Sequence, residues 1–379
     1  MSSNLKSVNV LGIAATFVGT VIGAGYASGQ EILQYFVYFG PWGIGAILIA
    51  GVLFFLTGYF AMALGRKLQT SDYQHVVNPL KNPIPQYFCD IMILFSLVGT
   101  FVIMIAGNAA NFQRQFGLPL AAGGIFLVVL CVINLLFGMR GLVLIQSLIV
   151  PIMVVVAIGV SLYAIANPIS AAATEYEVNS SPMIKNWIMS GILYVSFNAQ
   201  LAIAVLVPIG HEGRMKRSTL FWGTFIGGFL LGLGALVEYF ALIRNASIIG
   251  TTTLPMVELA ANISPIMQGV YTLVLFFGLY STAISCFFGT YERFADIPAL
   301  EKFGKVPLLI GIAVVCFIAS FVGFKDLVGY VYPALGYGGM IIMVLMSWMY
   351  FKKVGATGSI NPDPGTLRQA ADAPDPDEA

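Results

Sequence analysis

Charge is what this chain has least of. Lys, Arg, Asp and Glu together make up 9% of its 379 residues, where an ordinary water-soluble domain carries roughly a quarter. So few charges cannot cover a soluble globule, and with 58% apolar residues the class is an all-α membrane protein that crosses the bilayer many times. A formal net charge of +1, with no basic stretch interleaved with aromatics, gives no footing for nucleic acid. Histidine is nearly missing, and His75 and His211 do not make a ligand pair. Cys89, Cys131, Cys286 and Cys316 lie far apart with no Cys-x-x-Cys, which argues against a metal site or a disulfide framework. No nucleophile–base pair or metal set falls inside the apolar runs and no filter-like sequence appears, so enzyme and channel are set aside. The start of the chain lacks a small-residue cleavage site after a short apolar core, and Val8 onward is expected to be a retained span rather than a signal peptide.

What is present is long hydrophobic runs. Ten spans are expected, near 8–39, 42–65, 86–116, 119–138, 141–166, 184–209, 218–243, 256–291, 306–323 and 326–351. With the N-terminus inside, fourteen of the 18 Lys and Arg fall in cytoplasmic segments; only Arg114, Lys185, Arg244 and Lys325 fall outside. The positive-inside rule therefore places both termini in the cytoplasm, in a cell (inner or plasma) membrane, and supports an even span count. The organisation expected is a cytoplasmic N-terminus at 1–7, a first five-helix unit at 8–166 and an extracellular loop at 167–183. A second five-helix unit follows at 184–351, and then a polar, disordered tail at 352–379. Five spans is an odd number, so the second unit enters from the opposite side and any repeat is inverted.

The first run is interrupted in its middle by Gly19-Thr20-Val21-Ile22-Gly23-Ala24-Gly25-Tyr26-Ala27-Ser28-Gly29-Gln30-Glu31. Each glycine costs a helix about 1 kcal/mol relative to alanine, and four so close predict a discontinuous helix. In lipid, such a break survives only where it is buried in protein or lines a cavity. The same glycines, spaced by four, also fit close helix packing. A break would leave N–H groups around Tyr26 to Gly29 for an anion and carbonyls around Gly19 to Ile22 for Na⁺ or an ammonium. A zwitterion such as an amino acid fits both. It is not a phosphate loop, since no Lys-Ser or Lys-Thr follows. Glu31, an intramembrane acid, is a candidate substrate partner, proton carrier or gate residue. Glu238 is read as interfacial.

Span six holds Gly191-Ile192-Leu193-Tyr194-Val195-Ser196-Phe197-Asn198-Ala199-Gln200, closed by Pro208-Ile209-Gly210. It is expected to break in the mirror position and form a second wall from Tyr194, Phe197, Asn198 and Gln200, beside Gly23, Ala24, Gly25 and Tyr26. Interhelical hydrogen bonds or plain packing are the alternatives for each. Asn108 in span three is a further candidate. In span eight, Ser281, Thr282 and Ser285 offer hydroxyl oxygens to a monovalent cation, or else bond their own helix.

The string from Thr16 to Glu31 resembles the YkvI-like putative amino-acid permeases, and Gly19-x-x-Ile22-Gly23-Ala24-Gly25 is similar to the glycine signature of the amino acid–polyamine–organocation superfamily. That resemblance implies a LeuT-like fold with a 5+5 inverted repeat, ten transmembrane helices, and the first and sixth unwound around the substrate. It also implies a candidate Na⁺ site from the Gly19 and Ile22 carbonyls with Gly278, Ser281 and Thr282. The chain departs from the pattern of neurotransmitter-type symporters, lacking their Asn-Ala-Val-Gly-Leu-Gly-Asn string. It also lacks the span-five lysine that replaces sodium in some proton-coupled relatives. The function expected is secondary active transport of a small amino acid or related amine by alternating access, Na⁺-coupled, with no other cofactor. The alternatives are an H⁺-coupled permease, a quaternary-ammonium transporter and a membrane-embedded ligand sensor.

Overall fold

In the computed structural model, residues 9–77, 83–137, 142–169, 181–212, 216–246, 252–295, 297, 302, 304–355 and 359–361 are described. The turn expected at 138–141, most of the 167–183 loop, residues 1–8 and the tail from 362 lie outside them.

The first span is three pieces: α1 (Val10–Val21), α2 (Ala24–Ala27) and α3 (Gln30–Tyr35). Then come α4 (Trp42–Leu68), the short α5 (Tyr73–Val77), α6 (Pro83–Phe116), α7 (Leu120–Phe137) and α8 (Leu142–Ala166). The second half holds α9 (Trp187–Glu212), α10 (Arg217–Arg244), α11 (Pro255–Ile263), α12 (Pro265–Ala295), α13 (Lys305–Ala319) and α14 (Phe324–Tyr350). Among the described residues, eight helices are long and apolar enough to cross a membrane, and two shorter apolar helices occupy Val10–Val21 and Leu120–Leu136. Side chains such as Val155, Phe229, Ile266 and Ile318 stand exposed on the outside, which only a lipid solvent tolerates on this scale. The chain is a multi-pass membrane protein.

Two groups of helices emerge from the packing. In one, α4 lies against α9 and α10, and α1 against α9 and α10; in the other, α6 lies against α7 and α12, with α13 against all three. Helices α8 and α14 touch both groups. This is the packing a LeuT-like inverted repeat requires. Small residues set the closeness of α4 and α9. A β-carbon at Gly191 would lie 2.5 Å from the Ala46 carbonyl oxygen, and one at Gly210 would collide with that of Met62. Bare backbones at these crossings permit the contact that dispersion alone must stabilise in lipid. The second group is pinned by ion pairs near each end of α6: Arg114 grips Glu258 of α11 through both its Nε (2.5 Å) and Nη2 (2.9 Å), and Arg293 of α12 reaches Asp90 at 3.1 Å.

Three expectations need correcting. The eighth span is not one helix from 256 to 291: it divides at Ser264, whose φ of −171° and ψ of 158° are extended. Pro265 explains this, because its ring disfavours helical geometry in the preceding residue. The tail does not begin at 352, since a π-type turn carries the last helix on through Gly355. Ile360 is buried and Asn361 accepts a 3.1 Å bond from Arg66. Third, the sixth span is unbroken. Helix α9 runs from Trp187 to Glu212 with Pro208 inside it. Its polar groups are satisfied without unwinding: Ser196 donates to the Ile192 carbonyl at 2.7 Å and Asn198 to that of Tyr194 at 2.9 Å. Gly210, read as part of a terminator, is the contact point with α4.

Candidate functional site

The helical ladder of α1 ends with the Ile22 N–H on the Val18 carbonyl and resumes with the Ala27 N–H on that of Gly23. Between them Ile22 (φ −74°, ψ 94°) and Gly23 (φ −108°, ψ −171°) are extended. Among the described residues, the N–H groups of Gly23 to Tyr26 find no backbone acceptor and the carbonyls of Gly19 to Ile22 no backbone donor. The free N–H groups thus sit earlier than expected: those of Ala27, Ser28 and Gly29 are bonded within the restarted turn. With α2 only four residues long, what it offers is bare peptide groups rather than a summed helix dipole.

Beyond the break the chain is held tightly. Ser28 donates to the Gly25 carbonyl at 2.7 Å and accepts from the Gln30 N–H at 3.2 Å. Gly29 takes a left-handed φ of 81° and presses on Met256, where a β-carbon would lie 2.8 Å from Cγ, so only glycine fits. Met256 donates its N–H to the Ser28 carbonyl, Gln30 bonds the carbonyls of Thr252 and Thr253, and the Tyr271 hydroxyl donates to that of Ala27 at 2.6 Å. Every residue from Ala24 to Tyr38 is buried. The interrupted segment is enclosed by protein, as hydrocarbon demands of an open backbone.

Glu31 folds back over the break. A β-carbon at Gly25 would collide with Glu31 Oε1 and lie 3.2 Å from the Tyr332 hydroxyl of α14. Glu31 is buried, and its Oε2 has no hydrogen-bond partner. Of the aromatic candidates, Tyr194 packs on Tyr35 (5.5 Å between centroids) and Phe36 (4.9 Å), and Phe197 stacks on Tyr332 at 4.5 Å. Tyr26 turns the other way, towards α10, where a β-carbon at Gly234 would lie 2.6 Å from its hydroxyl.

Other candidates do not converge. Asn108 donates at 2.8 Å to the Gly123 carbonyl of α7, an ordinary packing bond. Asn198 bonds its own helix, and Gln200 bridges helices by accepting from Ser96 and donating to the Leu335 carbonyl, both at 2.8 Å. Of the candidate cation ligands, Gly278 reaches the break, a β-carbon there lying 3.8 Å from that of Ala24, with Met153 of α8 alongside. Gly19 faces Val150 of α8. Ser281 is buried and donates to the Gly278 carbonyl at 3.0 Å; Thr282 is half-buried. Ser285 is exposed and bonded to the Ser281 carbonyl, so it points away from the break.

Sequence reasoning missed a second buried acid. Glu238, read as interfacial, is 1% exposed, with neither carboxylate oxygen hydrogen-bonded. The signal was present: Glu238 follows Gly234 by four residues, which puts it on the helix face that Tyr26 touches. Tyr35, Tyr271 and Tyr332 were also missed, since tyrosine in an apolar run reads as packing.

No family model matches the chain. It is 26% identical over 334 residues to the uncharacterized membrane protein YkvI of Bacillus subtilis, covering 86% of this chain and 91% of that one. To the uncharacterized protein YyaD of the same organism it is 27% identical over 333 residues, 87% of this chain and 93% of that one. Among solved structures, a manganese transporter of Eremococcus coleocola aligns with a TM-score of 0.55 at 14% identity, over 96% of this chain and 90% of that one. The inward-facing form of Mhp1 gives 0.55 at 13% identity, over 91% and 77%. The chain thus has a LeuT-like fold and is similar in sequence to YkvI and YyaD.

Proposed function

We propose that this chain is a secondary active transporter that moves a small amino acid or a related amine by alternating access. The observation that carries the reading is the interrupted first span: bare peptide groups and an unpartnered carboxylate sit together inside a fold whose solved relatives include transporters. In this reading ten spans cross the membrane with both termini in the cytoplasm. The group of α1, α4, α9 and α10 rocks against the scaffold of α6, α7, α12 and α13. The solute docks between the break at Gly23 to Tyr26 and the wall of Tyr194 and Phe197, and Phe197 is held in place by Tyr332.

Two coupling ions fit. Sodium would be held by the Gly19 and Ile22 carbonyls with Gly278, Ser281 and Thr282 of α12, next to the break. A proton is favoured by a separate observation, the buried Glu31 carboxylate with an oxygen that no donor reaches. Uptake of labelled amino acids and amines into proteoliposomes, under an imposed Na⁺ gradient and separately under a pH gradient, tests the proposal. Accumulation that follows one gradient supports transport and names the ion. Saturable binding with no accumulation under either gradient would replace it with a ligand sensor.

A further inference from the structure

Of the eight long spans among the described residues, the one formed by α13 and the turn after it has the least protein around it. Helix α13 packs on α6, α7 and α12, and Val306, Ile310, Val314 and Ile318 stand exposed on it. Between α13, the end of α12 and the middle of α6 lies a groove of about 340 Å³. Apolar side chains line it, among them Val98, Phe294, Pro307, Leu308 and Val315, with Gly311 between them. The α13 members fall at positions 307, 308, 311, 312, 315 and 316, a single helical stripe. That stripe starts two residues inside the helix and runs ~14 Å along its axis. One leaflet's share of the hydrocarbon core is ~15 Å deep, so the groove matches the reach of one acyl layer.

Gly311 distinguishes this groove from a packing seam. Glycine inside a helix is unfavourable relative to alanine, and elsewhere in this chain it lets a neighbour come close. A β-carbon at Gly124 of α7, for example, would lie 2.8 Å from the Phe317 ring of α13. At Gly311 nothing lies within 4 Å of the added atom. The glycine widens a slot that the chain itself does not fill.

Lysines stand at the mouth. Lys305 begins α13 and is exposed, Lys302 just before it is exposed, and the first turn of α13 holds no acid. Neither takes part in the ion pairs of the described residues, which join His75 to Asp72, Arg114 to Glu258 and Arg293 to Asp90. Of the acids nearby, Asp90 is held by Arg293, and Glu292 lies roughly 200° around α12 from Phe294. Asp296 and Glu301 are outside the described residues.

We propose that this groove holds one phospholipid, with an acyl chain laid along Gly311 and its phosphodiester against Lys302 and Lys305. Lipid chains are as apolar as leucine, so a chain alone is exchanged freely for any other. The lysines supply the preference, about fivefold each for an anionic group at the membrane surface. In the orientation proposed above, the lipid belongs to the cytoplasmic leaflet. Bound there it touches α6, α12 and α13 together and braces a helix that the protein itself supports on one side.

The test uses the purified full-length chain, delipidated in detergent, with dioleoylphosphatidylglycerol and dioleoylglycerol as probes. The two share their chains and differ in the phosphate. Native mass spectrometry counts the lipid retained, and thermal melting reads its effect. One phosphatidylglycerol should be held at least ~10-fold more tightly than dioleoylglycerol, and it should raise the melting temperature. In the double variant Lys302→Gln/Lys305→Gln that preference disappears while the lipid-free melting temperature stays the same. Gly311→Leu fills the slot from within and should weaken phosphatidylglycerol at least ~fivefold, because the chain loses its contacts there. Its lipid-free melting temperature should be unchanged or higher, since leucine is the better helix former. Equal retention of the two probes would overturn the proposal, as would unaltered phosphatidylglycerol binding in both variants. A dimer that covers the groove and retains no lipid would replace the lipid with a second copy. Uptake is no part of the readout, so the lipid site and the transporter reading stand or fall separately.

Discussion

The first and sixth spans hold corresponding places in the two halves, and both carry small and polar residues at mid-depth, yet one is broken and the other is continuous. The difference lies in what the residues do with the backbone. In the first span the interruption is glycine-rich, and its side chains offer few groups to re-bond freed peptides. Its outer limb is also anchored elsewhere, with Gln30 on Thr252 and Thr253, Met256 on Ser28, and Tyr271 on Ala27. In α9 the hydroxyl of Ser196 and the amide of Asn198 turn back onto their own helix, and glycines serve to approach α4. Polar side chains in lipid can support a helix as well as interrupt it. A break needs glycine together with outside partners that hold the two limbs apart.

Substitutions can break that comparison or sharpen it. Gly25→Val is expected to have the largest effect, because any side chain there meets Glu31 Oε1 and the Tyr332 hydroxyl. Uptake in proteoliposomes should fall at least tenfold, with overpacking costing about 1–3 kcal/mol. Unchanged uptake would mean that this part of the break is not where solute docks. Next is Gln200→Leu in α9, which strips Ser96 and the Leu335 carbonyl of their partner. A loss of ~2 kcal/mol in stability is expected, seen as a lower melting temperature with substrate affinity little changed. Asn198→Ala should cost less, about 1 kcal/mol or below, since its bond is local to the helix. Substrate affinity shifting more than the melting temperature would restore this residue to the site. The smallest structural change is Gly23→Ala. No atom lies within 4 Å of the new β-carbon and the backbone there is ordinary extended chain. The variant should fold normally while favouring a continuous helix by up to ~1 kcal/mol. A changed transport rate at unchanged stability would show that the two limbs rejoin during the cycle.

How legible this was differs by residue. The spans follow from runs of apolar residues, because a bilayer imposes length and composition on whatever crosses it, and the interruption at Gly23 follows from glycine density. The continuity of α9 was not legible, since Ser196, Asn198 and Gln200 are compatible with either outcome until their acceptors are known. Asn108 reads as a binding residue by type and is a packing residue by position. Glu238 was misjudged for a related reason: depth counted along the chain says how far a residue lies from a helix end, not which neighbour its face meets. The split at Ser264–Pro265 was written in the proline and was overlooked because the apolar run continues past it.

The amino-acid order by itself settled that this is a many-span helical membrane protein with a weak point in its first helix, because hydrophobic length and backbone propensity are local properties. Only the tertiary structure decided that Glu31 folds over the break beside Tyr332 and that Glu238 is buried without a hydrogen-bond partner. Those residues come from separate spans, and their surroundings depend on how α2, α3, α10 and α14 pack, which no single segment encodes.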